Sequence, residues 1–328
     1  MSVLVTGGAG YIGSHMALRL NDAGENVVVI DNLTTGFDWA VDHRATFVQG
    51  DAGDIEFVSG IIEKHGIEEI VHFAGSIIVP ESVADPLKYY RNNTATSRNL
   101  IEAAVKGGVR RFIFSSTAAV YGMTGLAAVV EETPLQPMSP YGRSKLMTEW
   151  MLADVGAAHP FKYGVLRYFN VAGADPGKRS GQSSPQATHL IKVASQAALG
   201  QRPKMDIFGT DYETADGTCV RDYIHVTDLV EAHKLLLDRL RGGGDSTTLN
   251  CAYGQGYSVR QVIEMVKSVS GVNFQVDEGP RRPGDPASIT ATGEKVRSVL
   301  GWQPQHHDLR EMVATALDWE RYLMRRNR

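Results

Sequence analysis

The sequence predicts an α/β fold in which a doubly wound parallel sheet is followed by a smaller, mixed C-terminal domain. In the first half of the 328-residue chain, short apolar runs alternate with helical patterns, as they do when helices connect parallel strands. These runs lack the polar alternation of half-exposed strands, so we expect both faces of the sheet to be covered. Hydrophobic residues make up 43% of the chain, which is enough for a large core.

The predicted elements of the first half follow one another in a regular order. Buried strands are predicted at residues 2–6, 26–30, 46–49, 69–73, 111–115 and 162–167. Helices are predicted at residues 11–22, 55–65, 89–106 and 141–155. Strands and helices in this order predict a parallel sheet with helices on both faces.

The pattern loosens after residue 167. Residues 172–187 are rich in Gly, Pro and Ser and predict a loop. Further helices are predicted at residues 189–199, 226–240, 259–269, 293–300 and 309–322. We therefore expect one domain over residues 1–170 and a second over 171–328, with a segment near 222–250 returning to the first.

Composition excludes several classes of function. The formal net charge of −4 argues against nucleic acid or an acidic membrane as a partner. No charge-free apolar run reaches the length of a membrane span. The chain has only two cysteines and no leader-type segment after Met1, which predicts a cytoplasmic protein without disulfides. No metal site is predicted, because the histidines show no metal-ligand spacing and the side chains of the tandem His306 and His307 would point in different directions.

A glycine-rich turn between the first strand and the first helix predicts a dinucleotide site. In the run V-L-V-T-G-G-A-G-Y-I-G, Gly7 permits the tight turn and Gly10 lets backbone approach a pyrophosphate. Gly13 lets the helix pack closely on the strand, and the helix N-terminus offers N–H groups to phosphate. The spacing is G-x-x-G-x-x-G, so the generic fingerprint matches only loosely.

An acidic residue strengthens this prediction and identifies the cofactor. Asp31 directly follows the second strand, about 20 residues after the loop, where a carboxylate can accept from ribose hydroxyls. The same carboxylate would repel a 2′-phosphate. The sequence therefore predicts a Rossmann-type domain that binds NAD rather than NADP.

Tyr141 and Lys145 open the fourth predicted helix and lie on one face of it, since they are four residues apart. Only about one free tyrosine in 1000 is ionised at pH 7, and we expect a nearby ammonium to lower the pKa of this phenol. The phenolate can then take a proton from a sugar hydroxyl. A Y-x-x-x-K pair is usually a solvated helix face, so its meaning depends on the glycine turn before it.

Hydroxyl side chains close the fifth strand, with Ser115 and Thr117 at its carboxyl end. Carboxyl ends of parallel strands face the crevice where ligands bind. We expect Thr117 to hydrogen-bond the reacting hydroxyl, although such residues also cap turns.

These motifs resemble the extended short-chain dehydrogenase/reductase family, and within it the nucleotide-sugar epimerases. The matching stretches run in family order over nearly the whole chain, at residues 6–15, 31–33, 72–75, 89–93, 114–122, 139–145, 166–170, 216–225 and 281–285. The resemblance implies a homodimer built through the helices at residues 89–106 and 141–155.

The resemblance also implies roles for individual residues. Catalysis would fall to Tyr141 as base and acid, Lys145 as its tuner and Thr117 as hydroxyl partner. The implied NAD contacts are Gly7, Gly10, Tyr11, Ile12, Gly13, Asp31, Asn32, Asp51, Phe73, Ala74, Asn92, Ser115, Tyr141, Lys145 and Tyr168. The implied UDP-sugar contacts are Thr117, Tyr141, Phe169, Asn170, His189, Leu190, Phe208, Arg221, Arg282 and Asp285. Two arginines suit a diphosphate.

Some positions depart from the family pattern. Thr117 stands where serine is frequent, and it keeps the hydroxyl. Ser76 and Ile77 stand where some members carry a lysine, and His189 stands where asparagine is common. Ile289 stands where an aromatic or a small residue gates sugar size.

The reaction that the resemblance implies is NAD-dependent epimerisation at C4 of a UDP-hexose, UDP-glucose or UDP-galactose, through a transient 4-keto sugar. A UDP-N-acetylhexosamine or a UDP-pentose remains an alternative substrate. Dehydratases and decarboxylases carry acidic residues after the strand threonine, whereas Ala118 and Ala119 follow Thr117 here. A non-catalytic NAD-binding sensor would not need Tyr141 and Lys145 together, and a steroid-type oxidoreductase would not need the charged residues Arg221, Arg282 and Asp285.

Overall fold

The computed structural model describes residues 2–125, 127–184, 188–282 and 285–327. The predicted loop at 172–187 and the matching stretch at 281–285 include residues 185–187 and 283–284, which lie outside the described residues. The strands are β1 (Ser2–Thr6), β2 (Asn26–Asp31), β3 (Thr46–Gln49), β4 (Ile67–His72), β5 (Arg111–Ser115), β6 (Lys162–Tyr168), β7 (Asn170–Ala172), β8 (Lys204–Phe208), β9 (Val220–His225), β10 (Thr247–Cys251), β11 (Gly256–Ser258), β12 (Gln275–Gly279) and β13 (Ser288–Ile289).

The α-helices alternate with these strands through the first half of the chain. They are α1 (Tyr11–Asp22), α2 (Ile55–His65), α3 (Val79–Ala84), α4 (Pro86–Tyr89), α5 (Thr96–Lys106), α6 (Pro140–Ala158), α7 (Leu190–Ala198), α8 (Val226–Arg241), α9 (Val259–Ser270), α10 (Glu294–Leu300) and α11 (Leu309–Arg326). None of the helices in the described part of the chain is long and apolar enough to cross a membrane.

A seven-stranded sheet in the order β10-β6-β5-β4-β1-β2-β3 forms the centre of the molecule, and its neighbouring strands are all parallel. The order reverses between β1 and β4, and ligands bind at such a reversal, outside the carboxyl ends of the strands. The predicted doubly wound Rossmann sheet is confirmed.

Helices cover both faces of this sheet, as the unbroken apolar strands predict. On one face, Met16 and Leu20 of α1 and Leu236 of α8 are buried in a single apolar cluster. On the other face, a second cluster buries Ile62 of α2 and Leu100 of α5. Burying one such side chain stabilises the fold by roughly 1.5–3 kcal/mol.

Part of the second half of the chain packs on this first core. Strand β10 is an edge of the central sheet, and α8 packs on α1 and on β5 and β6. These elements fall in or near the returning segment that we expect at residues 222–250. The division of the chain near residue 170 stays a prediction.

The remaining C-terminal strands form two small sheets that the sequence did not predict. Strand β9 pairs with β7, β11 and β13, and β8 pairs with β12. Helices α7, α9 and α11 share an apolar cluster that includes Ile191, Val262 and Met312. Several of these strands have only two or three residues, which is too short for a hydrophobic period to be recognised.

The helix predicted at residues 89–106 is not regular. It begins earlier, as α4, passes through a π-helical segment at Tyr90–Ala95 and continues as α5. π-Helical segments are often found at functional sites. This segment carries Asn92 and Asn93, which both hydrogen-bond Ser76 in the segment after β4.

Candidate active site

The glycine turn forms a backbone cradle between β1 and α1. Gly7 has φ of +71°, and a Cβ added there would lie 2.6 Å from the backbone nitrogen of Ala74. A Cβ on Gly13 would lie 2.2 Å from the carbonyl oxygen of Gly7. Gly10 is the N-cap residue of α1 and has no side chain to cap its first turn. The amides of Gly7, Ala9 and Gly10 are bonded within the protein, whereas the amides of the first turn of α1 have no partner within the helix. The turn therefore fits a pyrophosphate at the N-terminus of α1, and its close backbone contacts require glycine at residues 7 and 13.

Asp31 lies at the end of β2 and bridges two backbone amides beside the cradle. Its carboxylate accepts from Ala9 N at 3.0 Å and from Leu33 N at 2.8 Å. Burial raises the pKa of this carboxyl, and the two amide hydrogen bonds oppose that effect. A carboxylate has about four acceptor sites, so it retains capacity for ribose hydroxyls.

Two further predicted cofactor contacts shape turns near Asp31. The side chain of Asn32 accepts from Thr34 N at 3.0 Å. The side chain of Asp51 accepts from Gly53 N at 2.8 Å. Both are short-range turn contacts, and the contacts of Asn32 and Asp51 with NAD stay predictions.

Helix α6 presents the predicted catalytic pair. Ser139 caps the helix by accepting from Gly142 N at 3.1 Å, and Pro140 occupies the first turn. One turn later, Lys145 Nζ donates to the carbonyl of Ser115 at 3.0 Å. Burial lowers the pKa of this ammonium to about 8. The pair thus joins α6 to the carboxyl end of β5.

The pKa of Tyr141 differs from the sequence-based expectation. We expected Lys145 to lower it, but burial raises the pKa of this phenol, and a hydrogen bond with Thr117 is the opposing influence. Removal of the phenol from water is the larger effect, and the Lys145 ammonium is engaged with the Ser115 carbonyl. Proton abstraction by Tyr141 therefore needs a further positive charge close to the ring.

Thr117 is the second residue after β5 and contacts the same phenol. Its Oγ1 accepts from Ala119 N at 3.1 Å, so it also caps the short helical turn at Ala118–Val120. The structure thus brings Thr117 and Tyr141 together, while the capping role that sequence left open is also present.

Hydroxyl and aromatic contacts connect the carboxyl ends of β4, β5 and β6 at the bottom of the crevice. Ser115 Oγ and Tyr168 Oη are 2.5 Å apart, and burial raises the pKa of Tyr168. The ring of Phe73 lies 5.0 Å from that of His233, and Ala74 borders the cradle at Gly7. These contacts fix the floor of the crevice between β4, β5 and β6.

The π-helical segment contributes two amides. Asn92 donates to Ser76 Oγ at 3.1 Å. Asn93, which sequence reasoning missed, accepts from Ser76 N at 2.7 Å and donates to Ser144 Oγ at 3.0 Å. It joins the segment after β4 to the helix that carries Tyr141. An Asn-Asn pair inside a predicted helix was the available signal.

The predicted UDP contacts of the C-terminal half form two pairs. Arg221 on β9 donates to Asp285 at 3.3 Å. The guanidinium of Arg282 lies 3.7 Å from the ring centroid of Phe208. Ile289 on β13 pairs with Arg221 across the strands and is buried. Each of the four residues of the two pairs, all implied by the resemblance, therefore contacts one other member of the set.

The remaining predicted contacts lie between the two halves of the chain. Asn170 begins β7 and hydrogen-bonds the phenol of Tyr223, and Phe169 packs on the apolar cluster around Tyr121. His189 precedes α7, and its ring lies 6.1 Å from that of Tyr11. Burial lowers the pKa of His189 to about 4, so the ring is neutral.

Two predicted contacts are chiefly packing residues here. Ile12 is partly buried against the core cluster behind the cradle. Leu190 is the first residue of α7 and packs on the cluster of the C-terminal helices. Among the described residues, no group of three or more His, Cys, Asp or Glu side chains is placed to hold a metal ion.

A buried ion pair that the sequence analysis did not predict contacts Ser116, the residue that follows β5. Glu149 on α6 accepts from Arg167 on β6, with Nη2 and Oε2 2.6 Å apart. Ser116 donates to the same carboxylate at 2.5 Å, and Arg167 donates to the Tyr121 phenol at 3.0 Å. The spacing of these residues in sequence gives no sign of the contact.

The fold and this crevice define the class of protein. The profile of the NAD dependent epimerase/dehydratase family matches residues 3–252, and the chain belongs to that family. The predicted family is confirmed.

Particular members of the family are closely similar. The chain is 53% identical to the UDP-glucose 4-epimerase of Azospirillum brasilense, over 98% of this chain and 92% of that protein. The crystal structure of UDP-glucose 4-epimerase from Brucella ovis in complex with NAD is 41% identical, with a TM-score of 0.94 and 97% of each chain covered. The UDP-Glc/GlcNAc 4-epimerase from Campylobacter jejuni is 47% identical, with a TM-score of 0.86, covering 98% of this chain and 99% of that one.

Proposed function

We propose that this protein is an NAD-dependent isomerase that interconverts UDP-glucose and UDP-galactose at C4. The observation that carries the proposal is the contact between Tyr141 and Thr117 at the carboxyl end of β5, with Lys145 one helical turn away. Similarity to UDP-glucose 4-epimerases over nearly the whole chain supports the same reaction.

The chain's own residues fit NAD. The cradle at Gly7, Gly10 and Gly13 holds the pyrophosphate, and Asp31 accepts from the adenosine ribose. Lys145 and Tyr168 border the place where the nicotinamide end belongs. When bound, NAD supplies a cationic ring that takes hydride from the sugar and returns it, so no net redox change results.

Tyr141 is the proton-transfer residue in this proposal. Its phenolate removes the proton of the C4 hydroxyl during oxidation and returns it during reduction. Thr117 holds the same hydroxyl in line. Burial raises the pKa of Tyr141, so formation of the phenolate depends on the further positive charge that the nicotinamide ring of bound NAD would supply. Proton transfer of this kind contributes about 10²–10⁴ to a rate.

The C-terminal half anchors the nucleotide while the sugar turns over. Arg221 and Arg282 suit the diphosphate, because guanidinium groups pair with phosphate oxygens in two parallel hydrogen bonds. Asp285 suits the ribose hydroxyls, and Asn170 and His189 border the crevice from the connecting segment. The 4-keto sugar stays in the crevice because its diphosphate is bound, and it can then turn either face of the ring towards the side of the crevice that carries Tyr141.

The sugar preference is the finer part of the proposal. Ile289 is neither aromatic nor very small, and it lies on the strand beside Arg221. Ile289 therefore does not distinguish the two sugars, and a UDP-N-acetylhexosamine is a second candidate substrate beside the UDP-hexose. The similar Campylobacter jejuni enzyme is named for both UDP-Glc and GlcNAc.

The acid and base residues that dehydration requires on this fold are absent after Thr117. Elimination of water after oxidation needs an additional acid and base next to the hydroxyl partner. The two residues after Thr117 are Ala118 and Ala119, which can do neither. We therefore favour epimerisation over dehydration or decarboxylation.

We also propose a homodimer formed through α5 and α6. Trp150 on α6 is 57% exposed, and Leu135, Pro137 and Met147 line an apolar groove beside it. Light scattering of the purified protein should give twice the chain mass. Trp150→Glu should give a monomer, whereas Glu264→Gln on α9 should not. A monomeric wild type would contradict the proposal.

The two cysteines support a cytoplasmic location, which is also part of the proposal. Cys219 and Cys251 are both free and buried. Free thiols are typical of a reducing compartment.

Product analysis of the purified protein without added cofactor tests the function. UDP-glucose, UDP-galactose, their N-acetyl forms and UDP-xylose are supplied separately, and products are resolved by chromatography. Interconversion of a C4 pair is expected, and the relative rates identify the preferred sugar. A keto-deoxy or decarboxylated product would overturn the reaction class.

A further inference from the structure

Helix α1 is tied directly to the segment Gly173–Ser184, which connects the two halves of the chain. Tyr11 donates from its phenol to the carbonyl of Gly173 at 2.6 Å. Ser14 Oγ and Ser180 Oγ are 2.6 Å apart. These contacts run from the helix of the dinucleotide cradle to a segment about 160 residues later in the chain.

His15 makes the most specific of these contacts. Its Nε2 lies 3.1 Å from the backbone nitrogen of Asp175, which donates to it. Its Nδ1 lies 2.7 Å from the carbonyl of Tyr11 and must therefore carry the proton. His15 is 3% exposed, and the Asp175 amide is shared between the His15 ring and the carbonyl of Ser180, which lies 3.0 Å from it. Loss of the ring would therefore free the segment from α1 at this point, while the amide keeps its partner within the segment.

The far end of the segment faces the cradle itself. Residues 181–184 line one narrow crevice together with Ala9, Gly10 and Tyr11. Lys192 on α7 donates to the carbonyl of Gln182 at 2.8 Å and forms a buried ion pair with Glu320 on α11. The segment is thus held from both halves of the protein while it lies against the phosphate-binding turn.

We propose that His15, with Ser14, is a positioning residue that holds this segment against the dinucleotide cradle and so retains NAD between turnovers. The inference rests on the NAD-binding role proposed above. An epimerase of this kind reuses one cofactor molecule, so a clasp that slows cofactor loss preserves activity without taking part in proton transfer. His15 contacts backbone and not substrate, and its effect is therefore on cofactor retention and not on the chemical step.

The test compares two replacements of His15 in the purified holoprotein. In His15→Gln, an amide oxygen reaches the position of Nε2 and can accept from Asp175 N. In His15→Asn, the side chain is one carbon shorter and cannot. The protein is placed in NAD-free buffer, and retained NAD is measured after rapid gel filtration at successive times.

We expect His15→Asn to lose NAD about threefold faster than wild type, because only the His15 share of the Asp175 hydrogen bond is lost and the Ser180 carbonyl still accepts. His15→Gln should stay close to wild type. Arg19→Ala is the matched control, because Arg19 lies on the same helix but pairs with Glu231 of α8. With saturating added NAD, kcat of all three variants should stay within about twofold of wild type.

A rate of NAD loss in His15→Asn equal to that of wild type would overturn the proposal. Equal losses in the Asn and Gln variants, with equal falls in melting temperature, would also overturn it, since they would indicate a purely structural role. Ser180→Ala is a smaller change that keeps the fold and should also accelerate NAD loss. If wild type turns over the substrate and the variants retain NAD as long as wild type does, the proposed role of His15 is contradicted but the proposed function is not. If wild type is purified without NAD, the proposed function is contradicted as well.

Discussion

Glu149 and Arg167 form a buried ion pair that contacts Ser116, the residue between the end of β5 and Thr117. Both side chains are 6% exposed, and the carboxylate also accepts from Ser116. Because Ser116 precedes Thr117, the pair fixes the backbone that presents the hydroxyl partner. A buried pair of this kind is retained for geometry, since its desolvation offsets much of its attraction.

Glu149→Ala should destabilise the fold by about 3–5 kcal/mol, because the guanidinium of Arg167 would remain buried without its partner. The free energy of unfolding in urea measures this change. Asp154→Ala is the control, since Asp154 lies on the same helix but is exposed. A loss below about 1 kcal/mol for Glu149→Ala would show that water or relaxation compensates the charge.

Tyr141→Phe should reduce kcat by at least about 10²-fold while NAD stays bound, because proton transfer to and from the C4 hydroxyl is lost. Turnover of UDP-galactose and cofactor content are measured on the same sample. Tyr89→Phe is the matched control, since its ring lies 6.4 Å from that of Tyr141 but its phenol bonds Glu81 and Ile78. Retained activity in Tyr141→Phe would remove Tyr141 as the base.

Most of the first half of the fold was predictable from the hydrophobic period, whereas the π-helical segment inside the helix predicted at residues 89–106 was not. Residues 2–6, 11–22 and 55–65 were predicted with the bounds that the structure has. Fully buried strands give a strong local signal, and Gly10 before α1 and Asp54 and Gly66 around α2 mark the ends of those helices. The strands at Lys204–Phe208 and Gln275–Gly279 were missed. Their partners lie about 70 residues apart, and pairing at that distance leaves no local pattern.

The candidate site was predictable where the residues of one role lie close together in the sequence or in a recognised motif. The glycine turn with Asp31 and the pair Tyr141 and Lys145 were found in this way, and their roles remain proposals. Asn93 and the ion pair of Glu149 with Arg167 were missed, because they depend on which helix face meets which strand. The pKa of Tyr141 was assigned the wrong direction, because spacing in sequence does not reveal the burial of a phenol.

Asp31→Ala should weaken NAD binding and narrow its preference over NADP, because the ribose acceptor and the repulsion of a 2′-phosphate are both lost. It should also lower stability by roughly 1–3 kcal/mol for each of the two amides, Ala9 N and Leu33 N, that stays unpaired. Titration with both cofactors measures the first effect, with the exposed Asp38→Ala as control. Unchanged NAD affinity would show that the ribose lies elsewhere.

Acid should destabilise the protein from about pH 6.5 downward, because several buried histidines remain neutral in the fold. Burial lowers the pKa of each to about 3 or 4; they are His15, His72, His189, His225 and His233. The unfolded chain binds these protons first, so each histidine lowers stability by up to about 1.4 kcal/mol per pH unit between its two pKa values. Burial raises the pKa of Asp222 to about 7, which offsets one of them.

Urea unfolding at pH 7, 6 and 5 measures this slope. His43→Asn should leave it unchanged, since the side chain of His43 is 92% exposed. The same free energy of unfolding at pH 7 and pH 5 would contradict the assignment of neutral buried rings.

The central claim is that hydrogen leaves C4 of the sugar and returns to the same carbon within one crevice, with Tyr141 moving only the hydroxyl proton. The most direct measurement is turnover of UDP-galactose that carries deuterium at C4, in ordinary water and without added NAD, followed by mass and NMR analysis of the UDP-glucose formed. The account predicts that the product keeps the deuterium at C4. Replacement of the deuterium by solvent hydrogen would contradict it, because the C4 hydrogen would then have left as a proton.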